Sequence, residues 1–178
     1  KTAKNLHEKK RVAEVAASFI QEGDCLFLDA GTTTFQMIPH LRNKNVVVVT
    51  NGLTHVEALI EQGVTTYLAG GYVKGKTRAR VGPQTIQSLR NYRFDKCFLG
   101  VNGFDVTFGY TTPDPEEAAV KRQASANAKH TYVVTDHTKY EEVSFSSIEG
   151  LSKATLITSK LPKEVIQLLS EHTEVISK

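Results

Sequence analysis

Six consecutive residues, Asp29-Ala30-Gly31-Thr32-Thr33-Thr34, form the chain's clearest set of groups able to hold an anion. They follow an apolar run, Cys25-Leu26-Phe27-Leu28, and precede a helical spacing of apolar residues. The pattern predicts a buried strand, a turn at Gly31 and a helix that opens among hydroxyls. The first turn of a helix leaves backbone N–H groups without partners and carries partial positive charge. A phosphate placed there meets those donors and the threonine hydroxyls together. The same residues also make an ordinary strand-to-helix turn capped by threonine. A short Gly/Thr turn does not choose between the two by itself.

Other polar groups recur at strand ends. Asn51 ends a strand and begins a helix, so it is either an N-cap or an amide able to donate to a sugar hydroxyl. Gly70 and Gly71 either turn the chain or let a ligand approach the backbone. Lys74 and Lys76 read as a solvated basic loop. Arg78 and Arg80 lie nearer Gly82, and one of them, Arg78 first, is expected to grip an anion bidentately. Asp114, Pro115 and Glu117 fit a helix start, as N-cap, first position and capping-box carboxylate. Lys121 follows Glu117 at the spacing of a helical ion pair. The alternative sets both at a pocket mouth, Lys121 on phosphate and Glu117 on a hydroxyl. Asp136 and Lys139 make either a turn ion pair or a ligand clamp.

No histidine has a metal-like partner at helical spacing. His7, His40, His55, His130 and His172 read as surface residues, and only His137 falls among the strand-end groups. Cys25 and Cys97 each sit in an apolar run and read as small buried hydrophobes. Zinc needs more ligands, more closely spaced, so no metal site is expected. A reducing, cytoplasmic setting fits.

These groups need a scaffold, and the chain supplies an alternating one. Residues 8–22 have the spacing of an amphipathic helix stopped by Gly23. Strands are predicted at 25–29, 46–50, 65–69, 94–101, 131–135 and 154–158, with an edge strand at 173–176. Helices are predicted at 33–41, with Pro39 as a complication, and at 53–61, 83–89, 114–129 and 163–170. Residues 72–80 read as a polar loop, 102–113 as turn-rich, and 136–147 as mixed, with alternation at 143–145. This is the α/β pattern of a mostly parallel sheet flanked by helices. Ligands of such sheets bind outside the carboxyl ends of the strands. Topology therefore gathers Asp29–Thr34, Thr50-Asn51, Gly70-Gly71, Asn102–Asp105 and Asp136–Lys139 on one rim.

The bulk properties are permissive. A chain of 178 residues, 40% hydrophobic and 23% charged, suits one domain with a full core. No apolar stretch is long enough to span a bilayer. The basic start, Lys1 to Arg11, is not a secretory signal, and a chain opening on Lys1 is expected to be a fragment. A net charge of +3 is too small to predict nucleic-acid binding by this segment.

Taken together, these motifs resemble the effector-binding domain of DeoR-family bacterial transcriptional regulators. The residues are Asp29-Ala-Gly-Thr-Thr-Thr34, Val49-Thr50-Asn51, Leu68-Ala-Gly-Gly71, Val81-Gly82-Pro83 and Asp95 through Gly103. Gly109-Tyr-Thr-Thr-Pro-Asp-Pro-Glu-Glu117 through Lys121 and Asp136-His-Thr-Lys139 complete the set, in order, between residues 8 and 160. Thr77-Arg-Ala-Arg80 and Tyr92-Arg-Phe-Asp-Lys96 look most like fructose operon repressors. The resemblance implies the Rossmann-like fold of ribose-5-phosphate isomerase and CoA transferases and a sugar-phosphate effector, fructose 1-phosphate first and tagatose 6-phosphate second. It also implies a homodimer or homotetramer, and operator DNA bound through a helix-turn-helix domain that would precede Lys1. Residues 1–178 would then be a single effector-binding domain without a cofactor.

The rival is a sugar-phosphate isomerase of the same fold. Aldose–ketose isomerisation needs a base beside a carbonyl. Isomerases of this type carry an Asp-Gly-Ala-Asp-like turn where this chain has Asn102-Gly103-Phe104-Asp105. Asn102 cannot be a base, though its amide can hold a hydroxyl. Asp105 either contacts a sugar or shapes the turn, and Thr111 lies where the isomerase has a Lys- and Gly-rich loop. The expectation is a site kept for recognition and stripped of catalysis. A dinucleotide site is disfavoured, since no G-x-G-x-x-G follows the first strand.

Overall fold

The structure, a computed structural model, describes residues 2–178, with side chains from residue 5. Lys1 lies outside the described residues. The chain opens with α1 (Thr2–Ala17), β1 (Cys25–Leu28), α2 (Thr32–Phe35), β2 (Val47–Thr50), α3 (Leu53–Glu61) and β3 (Thr65–Leu68). A hairpin follows, β4 (Tyr72–Val73) and β5 (Arg80–Val81), then α4 (Pro83–Leu89) and β6 (Phe94–Leu99). The second half runs β7 (Gly103–Asp105), β8 (Gly109–Thr112), α5 (Pro115–Ala126), β9 (Ala128–Thr135) and β10 (Ser146–Glu149). It ends with β11 (Thr155–Thr158), α6 (Lys163–Ser170) and β12 (Val175–Ser177).

Seven parallel strands form the main sheet in the order β12-β11-β9-β6-β1-β2-β3. Successive side chains of a strand face opposite sides, and β1 shows it. Leu26 and Leu28 pack with Val12 and Ala16 of α1, Leu59 of α3, Met37 and Leu41. Phe27 faces the other way, toward Leu89 of α4, Val120 and Ala124 of α5 and Leu169 of α6. Both faces are covered, as a parallel sheet requires.

Several stretches differ from the reading of the sequence, among them residues 128–129, which open β9 and do not continue the helix of 114–129. Residues 33–41 are not one helix. A single turn, α2, is followed by a 3-10 turn at Ile38–Leu41 that starts beside Pro39. Proline lacks the N–H a continuing helix needs, so the break falls there. Residues 72–80 are not a plain loop but part of the β4–β5 hairpin, in which Tyr72 pairs with Val81 and Val73 with Arg80. The turn-rich 102–113 segment is a second hairpin, β7–β8, extended by β10 into a three-stranded antiparallel sheet. The 143–145 alternation lies just before β10 and outside it. These strands are two to four residues long, too short for periodicity to register.

Two glycines of the small sheet, Gly103 and Gly109, have no room for a side chain, and Gly103 is the tighter. A Cβ on Gly103 would stand 1.9 Å from the carbonyl oxygen of Glu142, whereas one on Gly75 would meet nothing within 4 Å. Gly103→Ala is expected to cost about 2 kcal/mol or more, and Gly75→Ala about 0.5 kcal/mol or less. Urea unfolding of the two variants checks this; equal midpoints would contradict it.

Candidate functional site

β2 and β3 step outward from β1 on one side, while β6, β9, β11 and β12 step away on the other. Strand order therefore reverses between β1 and β6, where open α/β sheets place their ligands. Asp29 leaves β1 there and Gly100 leaves β6. Asp29 is 2% exposed. Its Oδ1 accepts from Ala30 N at 2.9 Å and its Oδ2 from Gly100 N at 3.0 Å. Lys121 reaches down from α5, itself 6% exposed. Its ammonium donates to the same Oδ2 and to the Gly100 carbonyl, the latter at 2.9 Å. The pair ties β1, β6 and α5 together. Lys121 makes no helical pair with Glu117, contrary to its spacing.

The loop beyond Asp29 is held from two sides. Gly31 is extended and α2 begins after it. The Thr34 hydroxyl donates to the Asp29 carbonyl at 2.5 Å and accepts from Gly31 N at 3.2 Å. His55 of α3 places Nε2 3.1 Å from both Thr34 Oγ1 and the Gly31 carbonyl. Among the described residues, the N–H groups of Thr32, Thr33 and Thr34 have no protein acceptor. At one turn, α2 is too short for a large macrodipole, so these donors and hydroxyls carry the anion argument. His55 is not a surface residue: it is 4% exposed. Burial pushes its pKa down to about 4, against the opposing pull of Asp29 and the Gly31 carbonyl. Its ring is therefore neutral near pH 7.

Asn51 is not the N-cap of α3, a place taken by Gly52. Its Nδ2 donates to the Arg80 carbonyl at 3.1 Å, and Arg80 N donates to the Asn51 carbonyl at 2.7 Å. Asn51 Oδ1 and Arg80 Nε are buried and have no partner among the described residues. Buried polar atoms left unpaired are costly and rare. Arg78 is exposed, with a left-handed φ of 61°, and its side chain has no hydrogen-bond partner among the described residues.

The β4–β5 hairpin is strapped onto the start of α5. Lys74 is not a free solvated cation. It pairs with Asp114 and, at 3.0 Å, with Glu117. The Asp114 contact raises the Lys74 pKa and holds the Asp114 carboxyl below its ordinary range. Thr77 donates to Glu117 at 3.2 Å and the Tyr72 hydroxyl donates to Glu116. Asp114 caps α5 as its position predicts, with Pro115 next. Glu117 closes no capping box; its carboxylate faces the hairpin.

The remaining rim residues are largely engaged in structure. The Thr85 hydroxyl donates to the Gly70 carbonyl, and a Cβ on Gly71 would strike it at 1.9 Å. Thr112 donates to Asn102 Oδ1 at 2.8 Å, and Thr111 Oγ1 accepts from Ser144 N at 2.9 Å. Asp105 accepts from Thr107 N and Phe108 N and so shapes its turn. Asp136 caps the turn that contains His137 and makes no ion pair with Lys139. His137 bonds Glu8 of α1 at 2.8 Å, and Ser159 donates to the same carboxylate at 2.9 Å. An open groove of about 490 Å³ lies beside this contact, lined by His7, Arg11, Lys160 and Lys178 among others. It sits at the β9–β11–β12 side of the rim, away from the strand-order reversal. Cys97 is buried, which pushes its thiol pKa well up. Cys25 is exposed at the start of β1, not buried as its apolar run predicts. No three His, Cys, Asp or Glu side chains gather as for a metal among the described residues. None of the described helices is long and apolar enough to cross a membrane.

The profile of the DeoR C-terminal sensor domain matches residues 4–160. The chain belongs to that family. It is 48% identical over 176 residues to the uncharacterized HTH-type transcriptional regulator FruR of Bacillus subtilis, covering 98% of this chain and 70% of that one. It is 36% identical over 159 residues to a putative aga operon transcriptional repressor of Escherichia coli O157:H7, covering 88% of this chain and 59% of the relative. Among solved structures it is similar to ribose 5-phosphate isomerase A of Methanocaldococcus jannaschii. That likeness has a TM-score of 0.55 at 17% identity and covers 76% of this chain and 55% of the other, so it shows the fold. The family makes this a regulator's sensor domain and not an enzyme.

Sequence reading missed His55, Lys74 and Gly100 in the DeoR sensor. The start of α3 was readable, but nothing local says that His55 turns toward Gly31. Lys74 and Gly100 find their partners across 40 and 71 residues.

Two outcomes follow for this sensor domain. Lys121→Met leaves Asp29 buried and unpaired and is expected to cost about 3–5 kcal/mol. The Asp29→Asn/Lys121→Met double variant should recover much of that in urea unfolding; a single variant costing nothing would contradict the pairing. For His55 the unfolded pKa is 6.5 and the folded one about 4, so the unfolded chain binds more protons in between. Stability therefore falls as pH drops, by about 2 kcal/mol from pH 7 to pH 5 through this one group. His55→Gln should lack that part of the slope.

Proposed function

We propose that this DeoR-type sensor binds a phosphorylated sugar at the Asp29–Thr34 loop, fructose 1-phosphate being the first choice. The observation that supports it is the set of three N–H donors without acceptors, at the place where strand order reverses. A phosphate accepts from such donors and from the Thr32 and Thr33 hydroxyls. Lys121 is committed to Asp29, so its charge is largely cancelled. Arg80, Arg78 and Lys139 are the cations left to balance the phosphate. Asn51 Oδ1 accepts a sugar hydroxyl, and Gly70, Gly71, Gly103 and Thr111 shape the surrounding wall. Asn102, Asp105, Glu117 and Asp136 approach the sugar only if their present bonds rearrange. The similarity to the FruR-named relative favours a fructose phosphate, with tagatose 6-phosphate as the second choice.

Isomerase chemistry finds little support. Asn102 is no base, and Asp105 already accepts two backbone N–H groups. In the whole protein, we take operator DNA to be bound by a segment before α1. The sensor would act as a dimer or tetramer in the cytoplasm. Glu8 joins α1 to His137 and Ser159 on the rim, which gives effector binding a route to that segment. An effector shifts DNA affinity only by its differential affinity for the two states.

Thermal unfolding tests the reading. Fructose 1-phosphate at about a hundredfold excess over Kd is expected to raise Tm by roughly 5 °C or more, and fructose by nothing measurable. Equal shifts from the free sugar, or none from any phosphorylated hexose or pentose, would contradict it.

A further inference from the structure

His55 holds one of the few buried polar atoms without a partner among the described residues. Its Nε2 lies 3.1 Å from the Gly31 carbonyl, which can only accept. Nε2 therefore carries the proton. The Thr34 hydroxyl points its own proton at the Asp29 carbonyl at 2.5 Å, with the Gly31 carbonyl a longer second acceptor at 3.0 Å, so it meets Nε2–H as an acceptor. Nδ1 is left as a bare lone pair, buried and without a partner among the described residues. A Cβ on Gly52 would stand 2.7 Å from that nitrogen, so the glycine leaves the ring its room. The Phe35 ring meets the imidazole edge-on at 5.3 Å. For packing alone, an apolar side chain would fill this space with no orphaned atom. The histidine carries that cost, and what it adds is one N–H aimed at the loop.

We infer that His55 is a positioning residue for the anion loop: its Nε2–H ties the Gly31 carbonyl and the Thr34 hydroxyl to α3, and so holds the N–H groups of Thr32, Thr33 and Thr34 together for one phosphate. The inference rests on the proposed phosphate site for its ligand and not for its geometry. His55 touches no ligand in this account. Loss of the imidazole donor cuts the tie from α3 to the Gly31 carbonyl, leaving that carbonyl only its local contacts, Phe35 N at 3.1 Å and the Thr34 hydroxyl at 3.0 Å. The first turn of α2 then loosens and the donors diverge. Glutamine can place its side-chain N–H near the position of Nε2, whereas leucine cannot.

Two measurements on the full 178-residue chain separate the parts. The first is amide hydrogen exchange without any ligand. His55→Leu should speed exchange at Phe35 by about tenfold, the worth of one hydrogen bond, with α5 amides unchanged, and His55→Gln should restore protection. Unchanged exchange in His55→Leu, or equal loss in both variants, would overturn the positioning role whatever the ligand. The second is titration with inorganic phosphate, followed at the Thr32–Thr34 amides by NMR. Wild type and His55→Gln should show saturable shifts, and His55→Leu about tenfold weaker ones. Wild-type affinity in His55→Leu would overturn the inference. Amides silent in all three proteins, with the exchange result as expected, would remove the phosphate site and leave the positioning of the loop standing.

Discussion

One buried ion pair sets the geometry of the rim. Asp29 and Lys121 come from the end of the first strand and the middle of α5, 92 residues apart. Both are nearly dry, so each would carry a heavy desolvation cost alone. Together, with Gly100 giving an N–H to one and a carbonyl to the other, every charge has a partner. The same contact closes the crevice floor between β1 and β6. Move either residue and the strand-order reversal, the Gly31 turn and the α5 start lose their common anchor.

A neutral floor has a chemical consequence. On the proposed reading, no bare buried lysine is left to attract the phosphate. The phosphate would meet instead the backbone N–H groups and hydroxyls of the Thr32–Thr34 turn, with Arg80 and the exposed cations as the charges proposed to balance it. Preorganised donors recognise the shape of an anion as well as its charge. A proton-transfer enzyme needs a carboxylate or imidazole free to change state. Here both Asp29 oxygens accept bonds, Asp105 already accepts two backbone N–H groups, and His55 is held neutral by burial. Recognition without turnover is what such an arrangement does well, and it is what a regulator's sensor domain needs.

Much of this was legible in the sequence because it is local. The β-branched run at Val47–Thr50, the helix Leu53–Glu61 and the Asp114-Pro115 start of α5 follow from patterns a few residues long. The parallel sheet follows from their alternation, and the gathering of strand ends on one rim follows from the sheet. What was not legible is long-range or too short. Lys121 has an attractive partner at helical spacing and a better one across the fold, and the buried geometry prefers the second. Glu117 gives up a capping box for Lys74 and Thr77. Asn51 sits where caps sit, but the backbone reaches its helix one residue later, so the amide turns to Arg80. The hairpins at Tyr72–Val81 and Gly103–Thr112 have strands of two to four residues, in which alternation has no room to appear.

The central claim is that the amides of Thr32, Thr33 and Thr34 receive the phosphate of a sugar ester. A crystal structure of the chain with fructose 1-phosphate tests it most directly. Phosphate oxygens are expected within about 3 Å of those nitrogens, with the Asp29–Lys121 pair intact beneath them and the ester unaltered. Phosphate seated instead in the groove of His7, Arg11 and Lys160, with the three amides bonded only to water, would contradict it.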